Sequence, residues 1–286
     1  MAISRRNFIL GTAGLTAAGL GYTRFIEPAW ISIARHTARL PGFSFPEPIR
    51  ILHLSDLHAS RSVPLSFIEH AFTLGCAEKP DLIFLTGDYI TGHLRKFKAY
   101  QSILKKLSQF APTYAVVGNH DGGTWVSSAG WGPDTSVRVG QLLVSSNITF
   151  LHNAATTIEV KGQKLTLVGL GDWLAGEFFP EQVFQAQQIP TDTLTPKTPT
   201  LILVHNPDTK EPLARYQWQI MFAGHTHGGQ IKIPFYGPPY APILDYRYVE
   251  GLKPWKDKLI HVTRGVGNLF GVRFNCRPEV SLVTLV

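Results

Sequence analysis

The chain has 286 residues, of which 44% are hydrophobic, and its formal net charge is +7. This length and composition permit one large α/β domain or two small ones, with ample apolar material for a core. Beyond residue 50 no stripe of Lys and Arg is interleaved with aromatic residues, which excludes a nucleic-acid-binding surface. No Ser/Gly linker, charge block or internal repeat divides the chain. We therefore expect one main domain over residues 45–286, preceded by an N-terminal segment, residues 1–40.

The N-terminal segment is predicted to associate with a membrane. Residues 4–10 read SRRNFIL and precede an apolar run rich in Gly and Ala, a pattern that resembles a twin-arginine export signal. No small-residue cleavage site follows, so we expect the segment to be retained. Residues 1–50 also contain six arginines and two glutamates, and a basic apolar end favours an anionic membrane surface as a partner.

Two topologies remain open for this segment. The apolar run from Phe8 to Tyr22 would extend about 22 Å as a helix, short of the ~30 Å hydrocarbon core of a bilayer. If the run spans the bilayer, the main domain faces the periplasm of a bacterium, which is the alternative that the export motif favours. If it lies in the interface, with Trp30, Ile31 and Ile33 as further anchors, the protein stays on the cytoplasmic leaflet of the inner membrane.

Hydrophobic periodicity predicts alternating strands and helices in the first half of the chain and mostly strands in the second. In the first half, the predicted elements are strand 49–54, helix 64–79, strand 81–86, helix 95–110 and strand 113–117. In the second half, the predicted strands are 148–151, 155–160, 164–170, 199–204, 218–222, 229–233, 258–262 and 281–285. This order fits an α/β fold in which two sheets pack face to face with helices outside.

Polar clusters follow five of the predicted strands. Each apolar run ends abruptly in Asp, Asn or His, and in an open α/β sheet the carboxyl ends of strands are where sites form. Asp56 and His58 are two residues apart, so in an extended segment their side chains point to the same face. The candidate metal ligands at these strand ends are Asp56, His58, Asp88, Asn119, His205, His225 and His227.

The number and type of these donors indicate two metal ions. One divalent ion takes about four to six ligands, so seven are too many for one ion and suit two ions that share an Asp. The set contains imidazole, carboxylate and amide donors but no thiolate, which favours Mn, with Fe or Zn as alternatives, over an all-oxygen Mg or Ca site. A pair of divalent ions about 3.5–4 Å apart activates water and holds phosphate oxygens.

The motifs resemble those of a known enzyme family. The ordered set D-x-H, G-D, G-N-H-D, a single H after a strand and G-H-x-H, over residues 51–233, resembles the calcineurin-like metallophosphoesterase superfamily. The sequences GHTHGGQ, HNPD at 205–208 and TRGVG…RPEV at 263–280 resemble its bacterial branch with twin-arginine-type leaders, and that branch resembles a UDP-2,3-diacylglucosamine diphosphatase of lipid A synthesis. The resemblance implies a four-layer αββα sandwich of two mixed sheets flanked by helices, and a dimetal hydrolase of phosphodiester or pyrophosphate bonds.

The resemblance also implies roles for the site residues. His120 matches the family histidine near the leaving-group oxygen, where it acts as general acid or stabilises the forming charge. Asp121 is expected either to orient His120 or to cap the following turn. One metal set is Asp56, His58, Asp88 and His227, and the other is Asp88, Asn119, His205 and His225. By composition alone, Asp172, Arg264 and Arg273 are candidate phosphate-binding or supporting groups, whereas His53, His70, His93, His152 and His261 match no motif.

The substrate is predicted only as a class. The aromatic loops 122–134 and 234–242 either form an apolar cap for a lipid or aromatic leaving group, or merely cover the sheet edge. Our lead hypothesis is a lipid-linked pyrophosphate, UDP-2,3-diacylglucosamine, cleaved to UMP and the lipid 1-phosphate, which requires the cytoplasmic face. The alternative is an exported phosphodiesterase of broad specificity. A binding scaffold without chemistry is disfavoured because no ligand is missing.

Overall fold

Two six-stranded sheets pack face to face in the computed structural model, which describes residues 4–133, 135–186 and 198–286. The first sheet contains, in spatial order, β1 (Ser32–Ala38), β12 (Glu279–Leu285), β2 (Ile49–Leu54), β3 (Leu82–Thr86), β4 (Thr113–Val116) and β5 (Thr149–Phe150). The second contains β10 (Gly251–Trp255), β11 (Lys258–Val262), β9 (Ile220–Ala223), β8 (Thr200–Leu203), β7 (Gln163–Gly169) and β6 (Ala154–Val160). Both sheets are mixed: β12 runs antiparallel to β2, and the pairs β10–β11 and β6–β7 are also antiparallel.

Helices cover the outer faces of both sheets. Helix α1 (Arg5–Gly21) is largely exposed and α4 (Thr124–Ser128) is a short helix within a loop. The helices that pack on the sheets are α2 (Leu65–Ala77), α3 (Phe97–Phe110), α5 (Val137–Val144) and α6 (Pro180–Ala186). Helix α3 shows why they pack this way, because Tyr100, Ile103, Leu104 and Leu107 recur at helical spacing and form its buried face. Apolar cores lie outside the first sheet, between the sheets and outside the second sheet. The predicted four-layer αββα architecture is confirmed.

The central strands are buried on both faces, which explains their nearly continuous apolar sequences. Every residue of β3, β8 and β9 is buried. Their hydrophobic side chains fill the core between the sheets on one face and the outer cores on the other. A polar residue is therefore first tolerated where each strand ends, and this places the functional side chains at one edge of the sandwich.

Three local predictions differ from the structure. Residues 229–233 do not form a strand, because Gly228 and Gly229 turn the chain with φ of 60° and 80°, and Ile231 makes only an isolated bridge to Phe274. Strand β10 was not predicted from the hydrophobic pattern, because it is an edge strand that contains Pro254. The loop predicted over residues 122–134 contains the short helix α4, and its residue 134 lies outside the described part of the chain.

The N-terminal segment contributes to the sheet. Residues 32–38, which sequence patterns assign to the leader, form β1 and pair in parallel with β12 from Ser32 to Ala38. The preceding turn is also attached, because the buried Glu27 carboxylate accepts hydrogen bonds from the amides of Asn275 and Cys276 at 2.8 and 2.5 Å. The domain boundary at residue 40 therefore cuts through packed structure. In the described part of the chain, no helix has the length and apolarity needed to cross a membrane.

Candidate metal centre

The strand ends bring the seven predicted ligands to one buried cluster. Asp88 Oδ2 lies 3.2 Å from His205 Nε2 and 3.4 Å from His58 Nε2. Asp56 Oδ1 lies 3.3 Å from His227 Nε2, which itself lies 3.1 Å from His58 Nε2. Asn119 and His225 complete the cluster: both line the same cavity as Asp88.

Asp88 occupies the central position between the two expected ligand sets. Its Oδ2 lies near one histidine of each set, His58 and His205. Its other oxygen, Oδ1, accepts a hydrogen bond of 2.8 Å from the backbone amide of His120, which fixes the carboxylate plane. This placement is the one that a carboxylate shared by two ions requires.

The hydrogen bonds of His205 leave its Nε2 available as a ligand atom. Its Nδ1 lies 2.7 Å from the carbonyl oxygen of Thr86, so Nδ1 carries the proton and donates it. In the neutral ring Nε2 then has a lone pair, and it lies 3.2 Å from Asp88 Oδ2. A ligating histidine ordinarily donates its other ring proton to a carbonyl or carboxylate in this way, because that bond sets both tautomer and ring orientation.

Among the residues that the structure describes, several buried polar atoms in the cluster have no hydrogen-bond partner. They include Asn119 Oδ1, His120 Nδ1 and His227 Nδ1. Buried polar atoms are nearly always satisfied in folded proteins, and an unsatisfied one costs free energy. Unpaired carbonyl and imidazole atoms beside two carboxylates are the donors that a divalent cation would satisfy. The residues present therefore fit a divalent metal ion.

Burial and mutual charge determine the protonation of the cluster. Burial lowers the pKa of His225 to about 3 and that of His120 to about 4. Burial also opposes protonation of His205, but the adjacent Asp88 outweighs it and raises the His205 pKa well above its ordinary value. A metal ligand must be deprotonated, so His225 is already in the ligating form at neutral pH. His205 would instead lose its proton to solvent when a cation binds at Nε2.

The backbone at the ligands is left-handed. Five of the seven residues have positive φ, between 46° and 70°, and they are Asp56, His58, Asp88, His225 and His227. This region is uncommon for residues other than glycine and is concentrated at functional sites. Nearby glycines allow the loops to approach: a Cβ at Gly224 would lie 2.0 Å from Ser55 Oγ, and one at Gly118 would lie 2.3 Å from Asp88 Oδ1.

Asp121 does not contact the ring of His120, contrary to one of its two predicted roles. Its Oδ2 accepts hydrogen bonds from the amides of Asp88 and Gly118, both at 2.8 Å. Its Oδ1 accepts bonds from Tyr89 and Ile90 at 2.7 and 3.3 Å. Asp121 therefore ties the loop after β3 to the loop after β4 and positions the backbone of Asp88. Asp121, predicted as a catalytic residue, is therefore a positioning residue, because within the described part of the chain its hydrogen-bond partners are all backbone amides.

His120 lies at the mouth of the cluster against aromatic side chains. Its ring packs edge-on to Trp125 and to His58, with centroid separations of 4.8 and 4.9 Å. Its Nδ1 is buried and has no hydrogen-bond partner in the part of the chain that the structure describes. The imidazole is therefore held by packing and by its backbone bond to Asp88. His120 also lines the cavity that opens from the cluster.

The other candidate polar groups have different positions. Arg273 is buried and donates to the carbonyls of five residues, so it organises backbone and does not face the cavity. Arg264 pairs with Glu279 at 2.5 Å. The buried Asp172 accepts a bond from Ala175, its Oδ2 is unpaired, and burial raises its pKa to about 6. His53 and His261, which match no sequence motif, are buried in contact with each other.

A cavity of about 740 Å³ opens from the cluster. One end is polar and is lined by Asp88, Asn119, His120, His225 and His227. The other end is apolar, and its wall includes Pro242, Leu269 and five residues here called the cavity rim, which are Trp125, Trp131, Leu174, Tyr240 and Phe270. The rim residues come from the two loops that the sequence singled out and from residues 174 and 270, which it did not. A polar reaction centre thus adjoins an apolar wall.

Carboxylate, imidazole and amide donors at the strand ends of an αββα sandwich define a metal-dependent phosphoesterase. The chain belongs to this class by sequence as well: residues 49–229 match the family model for the calcineurin-like phosphoesterases, and the protein is a member of that family. It is accordingly a hydrolase that depends on divalent metal.

Three relatives illustrate the range of the family. The chain is 43% identical to Phosphodiesterase YaeI of Escherichia coli, over 99% of this chain and 100% of that protein. It is 31% identical to the metallophosphoesterase YkuE of Bacillus subtilis, over 99% of this chain and 98% of that protein. It is 29% identical to the UDP-2,3-diacylglucosamine pyrophosphatase LpxG of Chlamydia muridarum, over 96% of this chain and 97% of that protein.

Proposed function

We propose that the protein hydrolyses a phosphodiester or pyrophosphate bond in an amphiphilic substrate at a membrane surface, with UDP-2,3-diacylglucosamine as the lead substrate. The observation that carries this proposal is the two-ended cavity. Its polar end holds the candidate ligands, and the cavity rim supplies Trp125, Trp131 and Phe270 for an apolar group. A substrate with a charged phosphate beside acyl chains matches both ends.

The chain supplies two overlapping ligand sets. Asp56, His58, Asp88 and His227 would hold one ion, and Asp88, Asn119, His205 and His225 would hold the other. Bound ions, most simply Mn²⁺, supply Lewis acidity at the phosphate oxygens and lower the pKa of water. The residues themselves orient the reaction, because Asp88 is fixed by the amide of His120 and its loop is tied down by Asp121.

His120 is placed to act on the leaving group. It lies at the junction of the polar end and the rim, with its ring against Trp125. A proton on this ring would pass to the departing oxygen, or a neutral ring N–H would donate a hydrogen bond to it. Burial lowers the pKa of His120 to about 4, which favours the neutral ring at rest. The negative charge of a bound phosphate opposes that shift.

The surroundings of the rim support a membrane partner. Phe270 of the rim is 84% exposed, and the next residue, Gly271, accepts a hydrogen bond from Arg24 at 2.7 Å. Arg24 follows α1, whose Phe8, Leu15 and Leu20 are exposed. An exposed apolar helix with basic residues at its start suits an anionic lipid surface, and the same surface would present lipid substrate to the rim.

A second candidate function rests on similarity. The 43% identity to a protein named Phosphodiesterase YaeI exceeds the 29% identity to a protein named UDP-2,3-diacylglucosamine pyrophosphatase LpxG. The twin-arginine-like leader also favours export, whereas the lead substrate belongs on the cytoplasmic face. The alternative is therefore an exported phosphodiesterase of broad specificity, with the same ligand sets and the same role for His120.

The deciding experiment compares two substrates. The purified full chain is assayed with Mn²⁺ for UMP release from UDP-2,3-diacylglucosamine and for hydrolysis of bis-p-nitrophenyl phosphate. Fast UMP release that falls in Phe270→Ala, but not in the matched control Phe235→Ala, supports the lead substrate; Phe235 is exposed but lies outside the cavity. Turnover of the artificial diester alone supports the alternative. A reporter fused after Val286 tests the face, since periplasmic reporter activity contradicts the lipid A role.

A further inference from the structure

A second cluster of metal-type ligands lies between the sheets, apart from the cavity. His36 comes from β1, Glu279 from β12 and His261 from β11, and one candidate ligand atom from each lies within 4.8 Å of the others. His261 and Glu279 are buried, and His36 is half-buried. We propose that these three residues form an additional binding site for a first-row divalent metal, with zinc the expected ion, which joins the two sheets.

The hydrogen bonds of His261 leave one ring nitrogen unused. Its Nδ1 lies 2.8 Å from His53 Nδ1, whereas its buried Nε2 has no hydrogen-bond partner among the described residues. Two imidazole nitrogens at that distance share one proton, so one ring must donate and the other accept. If His53 donated, His261 Nε2 would carry a buried N–H with no acceptor. If His261 donates, its Nε2 has a lone pair, which a metal ion would satisfy.

His53 supports this arrangement from behind. Its Nε2 lies 2.8 Å from Thr86 Oγ1, so it accepts from His261 on one side and donates to the threonine hydroxyl on the other. Its ring packs edge-on to Phe222 at 5.3 Å, which keeps this side of the cluster apolar. Ligating histidines are typically held by such an outer hydrogen-bond partner, and loss of the partner weakens metal affinity.

Glu279 retains the capacity to bind a cation. Its Oε1 accepts hydrogen bonds from the hydroxyls of Thr263 and Ser281, at 3.2 and 2.5 Å. Its Oε2 accepts one bond, from Arg264 Nε at 2.5 Å. A carboxylate offers about four acceptor positions, so one remains on Oε2. The positive charge of Arg264 limits how strongly a cation binds beside it.

The donor set indicates the class of metal. Two imidazoles and one carboxylate are typical zinc ligands in proteins, with a fourth position left for water. His36 lies on the edge strand β1 and its ring packs 4.9 Å from that of His261, so the half-buried histidine is the accessible side of the site. An ion here would link β1 and β12 of the first sheet to β11 of the second and so attach the strand that follows the membrane segment.

The test measures metal content in the full chain. After equilibration with zinc and dialysis, we expect His36→Ala to retain one metal equivalent per chain fewer than the wild type, with unchanged hydrolysis of bis-p-nitrophenyl phosphate. His70→Ala is the matched control, because His70 is an exposed histidine outside the cluster, and it should lose none. His53→Gln should weaken zinc binding about 10- to 100-fold, as outer partners of ligands do.

A second set of variants, made in the Asp88→Asn protein, distinguishes zinc bound between the sheets from metal bound at the catalytic cluster. In the variant Asp88→Asn, zinc bound between the sheets should persist and should disappear when His36→Ala is added. Zinc should also raise the melting temperature of the Asp88→Asn protein but not that of the double variant. Equal metal content and equal zinc-dependent melting shifts in the presence and absence of His36 would overturn the proposal. The result is independent of the natural substrate and of activity.

Discussion

Arg24 donates a hydrogen bond from Nη1 to the carbonyl oxygen of Gly271 at 2.7 Å, and this contact joins the N-terminal segment to the wall of the cavity. The amide of Arg273 adds a second link, to the carbonyl oxygen of Thr23 at 3.0 Å. Phe270, next to Gly271, belongs to the cavity rim. The segment expected to bind a membrane and the residues expected to bind an apolar group are therefore mechanically connected.

The first prediction concerns this connection. Arg24→Ala should raise KM for a substrate presented in vesicles by about 3- to 10-fold, because one charge-assisted hydrogen bond to the rim loop is lost. kcat for soluble bis-p-nitrophenyl phosphate should stay unchanged, since the ligand cluster is not touched. Steady-state kinetics with both substrates decide the matter, and equal losses on the two substrates would contradict a role confined to the rim.

The second prediction concerns the ligand shared by both sets. Asp88→Asn should lower kcat at least about 10³-fold, because a neutral amide cannot replace a bridging carboxylate at a pair of cations. Circular dichroism should remain that of the folded protein. Asp257→Asn is the matched control, since its exposed carboxylate forms an ion pair with the neighbouring Lys258, away from the ligand cluster. A variant at position 88 with near wild-type turnover would remove the basis of the site assignment.

The third prediction separates positioning from proton transfer. Asp121→Ala removes four hydrogen bonds from backbone amides and should destabilise the protein by about 2–4 kcal/mol. kcat should fall because the Asp88 loop is released, yet the pH-rate profile should keep its shape. If Asp121 instead acted through the His120 ring, the profile would shift, and this shift would argue against the positioning role.

The fourth prediction uses the buried Asp172, whose pKa burial raises to about 6. In the unfolded chain an Asp ionises near pH 3.9, so between that pH and about 6 the folded state holds more protons. Stability from this group therefore falls as pH rises through that window. Asp172→Asn should be neutral at pH 4 and stabilising at pH 7.5, by up to about 3 kcal/mol.

Urea unfolding at the two pH values measures this difference. EDTA is included because a bound cation lowers the pKa of a nearby carboxyl group. A stability difference between the variant and the wild type that is the same at pH 4 and pH 7.5 would show that the carboxyl ionises normally in the folded protein.

Sequence patterns predicted the centre of this molecule better than its edges. Strands β3 and β9 are buried on both faces, so apolar runs that end in polar residues predicted them. Strand β1 was not predicted, because an edge strand with His36 and other polar residues has a sequence pattern like that of a loop or a leader. Strand pairing between β1 and β12 joins residues about 250 positions apart, and no local pattern carries that information.

The candidate site shows the same division. Motif order was enough to nominate Asp56, Asp88 and His225, and the structure brings them together. It was not enough to separate the two possible roles of Asp121, since that choice depends on which way one carboxylate turns. The contact between His53 and His261 could not be predicted from the sequence either, because the two residues belong to different sheets and are 208 positions apart.

The left-handed backbone at five candidate ligands has a consequence for folding. Conformations of this kind cost on the order of 1 kcal/mol each for residues other than glycine, so these loops are held in place at an energetic disadvantage. Cation binding favours only the state in which all five strand ends are in register, and it therefore stabilises that state by mass action. The metal would then stabilise the folded protein as well as take part in catalysis. In a cell depleted of the metal, the loops that carry the candidate ligands would be less ordered and more open to proteolysis.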